Sequence, residues 1–425
     1  MKFPQLDNSN KGRVVPLMFE GVNKNEIIND KELSGGINLS TKNIPAITPR
    51  ESAGITKTLT SGTYYGVVDG NHYHIAGNKF YYDGTYKFDV AAGKKSIVDF
   101  NGVLVIFPDK KFYNWQTGVN GTITCPDIDF ATVHYNRIFG IKDNYVYASK
   151  VGDYTVWDEF EGTLMDSWQA DVYSDGYFTG IASYQDHVVF FKRNLMYELY
   201  GYTPNQFKIM ETNKVGCIDN YSIAEVQGVL YFASEDDIMT YSGGFPRPVS
   251  DKLNLSDIQK VVAIGDGEFY YASIDGETYV YDMNKGVWMP YFDKEVLMFA
   301  KDGDDTLLLC ADGAVHQLSS GTDRVSWEAV TKKFDGGVFN KKSVRYIKLR
   351  ARLQDESTLK VYISYDEGEF SLVKNIHNTD EYHRGIRDMK IVLPIIRCNN
   401  YQLKLTGVGD AVIYGEKEVL YGSER

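Results

Sequence analysis

The chain has 425 residues, of which 43% are hydrophobic and 14% aromatic, with 32 tyrosines among them. That length holds two or three domains, or one repeat array with an appendage, and the apolar share excludes wholesale disorder. The formal net charge of −12 argues against a nucleic-acid surface, which needs basic charge to displace counterions, so no sequence-specific nucleic-acid contact is expected.

Residues 1–56 are expected to form an extended N-terminal docking segment, with a flexible leader as the alternative. Met1–Pro16 is polar and lacks the apolar core of a secretory signal. Gly35, Gly36, Pro45 and Pro49 rule out a long helix, while Ile37, Leu39, Ile44 and Ile47 keep returning among polar neighbours and predict a tied-down strand-like path. No stretch of the chain reaches the length of a membrane helix, so no membrane insertion is expected. Cys125, Cys217, Cys310 and Cys398 stand singly, without C-x-x-C or a zinc-like His spacing. They read as buried thiols of a reducing compartment, and neither metal nor cofactor is expected.

From residue 57 to 322 one phrase repeats. Its clearest copy is Glu225–Gly243, where Val229–Phe232 follows a Gln227-Gly228 turn and Ile238–Tyr241 follows an acidic break. Short β-rich runs between such turns are hairpins. The inner turns near Gly70, Gly102, Arg137, Asp186, Gly228, Gly267 and Asp305 fall roughly 30 to 50 residues apart, the period of a β-propeller blade. One blade cannot bury both faces of its sheet, so the copies must stack about an axis. A β-solenoid or two stacked sandwiches is the alternative architecture.

Residues 323–425 break the repeat and predict a β-sandwich. In the run Val344–Leu353, Ile347, Leu349, Ala351 and Leu353 share one face while Lys348, Arg350 and Arg352 share the other, the alternation of a half-buried strand. The expected fold is therefore all-β: a six- or seven-bladed β-propeller with an extended N-terminal segment and a C-terminal β-sandwich. The blade count depends on whether the first copy draws on that segment.

Reactive chemistry is sparse. His72 and His74 share a strand face, but no third ligand is near in sequence. The acids Glu235–Asp237 and Asp302–Asp305 lack calcium-loop spacing and suit turns. An insertion at 149–177 carries Trp157 and Trp168 beside Asp153, Asp158, Glu159 and Glu161. Two of those carboxylates across a cleft would make a polysaccharide hydrolase, but the nucleophile-elbow, phosphate-loop and metalloprotease motifs are absent. No catalytic residue is assigned, and an enzyme is not expected. The candidate binding residues are Trp157 and Trp168, which would stack on a host surface glycan, and Lys348, Arg350 and Arg352, which would dock a protein partner.

Two stretches carry a resemblance. Ile28–Ser34, Ile37–Ser40 and Pro45–Arg50 resemble the leading segment of bacteriophage virion proteins, in which I-x-D-x-E-L precedes N-x-S and P-x-L-x-x-R; Ile47 here replaces that Leu. Val188–Gly201, Lys214–Ile218, Val229–Ser234 and Tyr241–Arg247 are similar to propeller proteins encoded among phage and prophage tail genes, with tail-stabilisation and nozzle proteins of short-tailed phages as analogues. Separately, Ser364–Phe370 resembles the Asp-box turn of sialidase-like propellers, with Phe370 one place early, and predicts a hairpin tip. The virion resemblance implies a structural component made in the host bacterial cytoplasm and built into the tail or head-to-tail region. Its partners would be other virion proteins and further copies of itself in a cyclic homo-oligomer; a receptor- or glycan-binding tail module is the alternative.

Overall fold

The computed structural model describes residues 13–59, 62–335, 341–354, 356–377 and 386–421; residues 1–12 of the expected docking segment lie outside this set. Seven four-stranded antiparallel sheets follow one another along the chain among the described residues. They are numbered here as blades 1 (62–89), 2 (96–122), 3 (130–171), 4 (178–213), 5 (224–248), 6 (261–292) and 7 (296–317 with 54–58). Each blade runs in sequence order from its first to its last strand, except blade 7, whose fourth strand is Gly54–Thr58 from the start of the chain. That strand lies antiparallel to Ala314–Gln317, with Gly54 opposite Gln317.

The turns explain the regularity. Between the first and second strands, Asp69-Gly70, Asn101-Gly102 and Gln227-Gly228 all take positive φ, the backbone that two-residue hairpins need to match strand twist. Side chains of successive blades then interlock. Ile75 and Phe80 of blade 1 meet Leu104 and Ile106 of blade 2, Val189 and Phe191 of blade 4 meet Leu230 and Phe232 of blade 5, and Leu307 and Leu309 of blade 7 meet Tyr65 of blade 1. The ring is thus closed both by apolar packing and by the N-terminal strand. First strands crowd at the axis: a Cβ on Gly265 of blade 6 would sit 2.1 Å from the Glu225 carbonyl oxygen of blade 5.

One end of the axis is capped. The short 3-10 turn Asn220–Ser222, between blades 4 and 5, carries Tyr221 across to the far side. Its ring stands edge-on to Tyr64 of blade 1 at 6.3 Å and to Phe130 of blade 3 at 6.4 Å. The phenol donates to the Lys95 carbonyl at 2.5 Å and accepts from the Lys95 amide at 2.8 Å.

The remainder forms a two-sheet sandwich. One sheet has the strand order Leu33–Ile37, Ser326–Thr331, Tyr401–Val408, Thr358–Tyr365, Ser371–His377; the other runs Arg13–Leu17, Ala411–Tyr421, Lys342–Leu353, Arg387–Val392. The N-terminal segment therefore gives one strand to each sandwich sheet and one to blade 7, and Gly54–Thr58 crosses the 56/57 boundary expected from sequence. Between its strands the segment bonds to blade 6: Val22 N–H to Trp288 O at 2.9 Å and Leu39 N–H to Pro290 O at 2.9 Å. A continuous core results, joining Phe19, Leu39 and Ile47 of the segment, Met289 and Leu308 of blades 6 and 7, and Trp327, Leu349 and Leu403 of the sandwich. The Ser364–Phe370 phrase is a hairpin tip between the strands Thr358–Tyr365 and Ser371–His377, with Asp366 at φ 47°.

Candidate functional site

The strand Lys342–Leu353 alternates as its sequence predicts: Ile347, Leu349, Ala351 and Leu353 are buried between the sheets, and Lys348, Arg350 and Arg352 face outward. Antiparallel pairing sets Lys348 opposite Lys390 and Arg350 opposite Asp388. Arg350 grips Asp388 in a two-point pair, Nε to Oδ1 at 2.7 Å and Nη2 to Oδ2 at 3.0 Å. The guanidinium holds the Asp388 carboxyl below its usual range; both side chains are well exposed, so the pair orients Arg350 more than it stabilises the fold. Lys390 and Lys348 lie 4.2 and 5.6 Å from the centroid of the Tyr346 ring, a cation–π arrangement. Lys348, Arg350, Asp388 and Lys390 border a shallow groove of about 620 Å³ that Tyr414 also lines.

Arg352 points out of the same strand into a different recess. A cleft of about 580 Å³ opens where the propeller, the N-terminal segment and the sandwich meet. Phe269, Tyr271 and Tyr291 of blade 6 line it, Thr41–Asn43 and Glu51 form one wall, and Arg352, Gln354 and Asp410 form the other. Tyr271 and Tyr291 pack edge to face at 5.2 Å. Lys285 is fixed by the Thr41 carbonyl at 2.8 Å and by Asp282 at 3.2 Å. Lys42 bridges to Glu51 at 2.9 Å and, with Ser319, keeps that carboxyl below its usual range, which unsuits Glu51 to act as a general acid. The recess thus has an aromatic floor and charges of both signs on its rim.

The tryptophans are placed differently from their expected roles. Trp157 is only 5% exposed; its Nε1 donates to the Tyr154 carbonyl at 2.8 Å and its ring meets Phe107 edge-on at 6.3 Å. The expected sugar-stacking face is thus closed, because the insertion folds back on blades 2 and 3 and uses this indole as its anchor. Trp168 is half-buried, starts the last strand of blade 3 and packs on Phe207 at 5.2 Å. Among the insertion acids, Asp153 accepts from Thr155 N at 2.8 Å and Glu159 pairs with Lys150. These are turn and anchoring contacts.

His72 binds the Tyr65 hydroxyl at 2.6 Å. His74 is buried against Tyr81, ring to ring at 4.8 Å, and its Nδ1 has no partner. Burial, followed by the charge of Lys57, lowers its pKa to about 4. A His neutral when folded but titrating normally when unfolded destabilises the fold as pH falls through 6.5 toward 4, by about 3 kcal/mol at the lower end. Urea denaturation between pH 7 and pH 4 should show this loss, and His74→Phe should remove much of it.

The cleft itself escaped sequence reasoning because its walls come from residues near 42, 271 and 410, brought together only by the fold. Asp388 and Lys390 were equally hidden, although their strand's alternation could have matched them to Lys348 and Arg350.

Fold and site define a β-propeller with an interwoven sandwich. No protein-family model and no curated protein matches the chain. Among solved structures it is similar to the computationally designed Ika8 protein, at 13% identity and TM-score 0.43, covering 70% of this chain and 99% of that one. It is also similar to BamB from Moraxella catarrhalis, at 9% identity and TM-score 0.42, covering 68% and 98%. A third is the exo-beta-1,3-galactanase of Phanerochaete chrysosporium, at 10% identity and TM-score 0.28, covering 78% and 96%.

Proposed function

We propose that this protein is a structural component of a bacteriophage virion, a propeller platform that docks other virion proteins and further copies of itself. The observation that carries this reading is the single core running from the N-terminal segment through blades 6 and 7 into the sandwich. Such a core makes propeller and sandwich one rigid piece, as a load-transmitting platform requires. The outward face bearing Lys348, Arg350 and Lys390, with Asp388 and Glu416 set among them in register, would serve as a docking surface for a neighbour of complementary charge pattern. The phage-like phrases of the leader and of blades 4 and 5 agree with it.

Assembly is tested by mass photometry of the purified chain alone and mixed with disrupted particles. The wild type should form a discrete ring or join a complex. Lys348→Glu with Lys390→Glu should leave the circular-dichroism spectrum and melting temperature unchanged while weakening assembly at least about tenfold, since rim charges act on association. A wild type that stays monomeric under both conditions contradicts the reading.

The second reading, a glycan-binding tail module, draws on the aromatic-floored cleft beside Arg352. Retention of host envelope polysaccharide by the wild type and its loss in Arg352→Glu would favour it.

A further inference from the structure

Among the described residues, one group of His, Cys, Asp and Glu side chains converges in the manner of a metal site. Cys310 ends the second strand of blade 7, Asp312 sits in the following turn, and His316 lies on the third strand. One ligand atom from each lies within 4.8 Å of the other two. The hairpin causes this, because a C-x-D-x-x-x-H spacing folded at a tight turn returns His316 beside Cys310. Cys310 is fully buried and His316 is 6% exposed, while Asp312 stands at the surface. The cluster therefore has a closed floor and an open mouth.

One further observation points to a cation, at the Nε2 side of the His316 ring. The ammonium of Lys294 lies 2.7 Å from Asp312 Oδ2 and 3.5 Å from His316 Nε2, so a positive charge already rests among these groups. Its side chain is 40% exposed and has room to swing into solvent. Sulfur, imidazole nitrogen and carboxylate oxygen together are the donors favoured by borderline divalent ions.

We propose that Cys310, Asp312 and His316 form a binding site for a borderline divalent transition-metal ion such as Zn²⁺, which displaces the ammonium of Lys294 and keeps solvent in its fourth position. On binding, the Cys310 thiol loses its proton to solvent, a metal–sulfur bond forms, and Lys294 leaves still protonated. His316 is paired in register with Ile55 of the N-terminal strand, so the ion would brace the hairpin on which the ring closes.

The test is a Co²⁺ titration of the purified full chain, followed by Zn²⁺ competition. The wild type should develop a near-ultraviolet thiolate-to-cobalt band and visible bands of tetrahedral intensity, both bleached by Zn²⁺. Cys310→Ser should lose the thiolate band. Asp312→Asn, an exposed change that leaves the fold intact, should weaken binding at least about tenfold. Lys294→Met should strengthen binding several-fold, because the resident cation is gone. Absence of the thiolate band in the wild type overturns the proposal, as does a band that survives Cys310→Ser or a Lys294→Met affinity no higher than wild type.

Discussion

A chain lacking residues 1–58 should fail to fold. The deletion removes one strand from each sandwich sheet and the closing strand of blade 7. It also strips Phe19, Val22, Leu33, Leu39 and Ile47 from the interior, each no more than 1% exposed. At about 1.5–3 kcal/mol for each large apolar side chain, their combined loss is comparable with the whole stability of about 5–15 kcal/mol typical of a native protein. Three sheet edges are opened as well, which favours aggregation. Expression should yield insoluble material, and any soluble fraction should lack a cooperative melt by circular dichroism. A soluble truncation that melts like the full chain would mean that ring and sandwich stand without this segment.

Replacing Tyr221 by Ala should give the largest loss from a single side chain at the axis. The ring fills the space between Tyr64 and Phe130, and its hydroxyl satisfies both backbone groups of Lys95. Tyr221 is half-buried, so removing its ring should cost about 2–3 kcal/mol. Tyr221→Phe keeps the packing and should cost only about 1 kcal/mol, the net worth of its hydrogen bonds. The two variants, compared by urea denaturation, separate the two contributions. Equal effects from both would show that the hydroxyl, rather than the ring, secures the cap.

Much of this architecture is legible in the sequence because hairpin turns write themselves locally. Gly70, Gly102 and Gly228 mark inner turns whose positive φ only a few residues tolerate, and the strand period of Ile347–Leu353 states which face is buried. What the sequence hides is non-local. Nothing near Gly54 announces that its strand will pair with Ala314–Gln317, since an edge strand is chosen by hydrogen-bond vacancy and not by side-chain pattern. Trp157 shows the same limit from the other side: an aromatic among acids reads as a surface platform, yet the fold turns it inward under Phe107. Cys310 and His316 looked unrelated because metal spacings are recognised by short motifs, whereas here a hairpin supplies the proximity.

The role as an assembled platform is tested most directly by electron cryomicroscopy of phage particles carrying this chain with a C-terminal label. The proposal predicts several copies in a closed ring at the tail or head-to-tail region, each showing a propeller disc with its sandwich fixed at blades 6 and 7, and neighbours meeting at the Lys348–Lys390 face. Particles that lack the labelled chain altogether, or hold isolated copies without mutual contact, would contradict it.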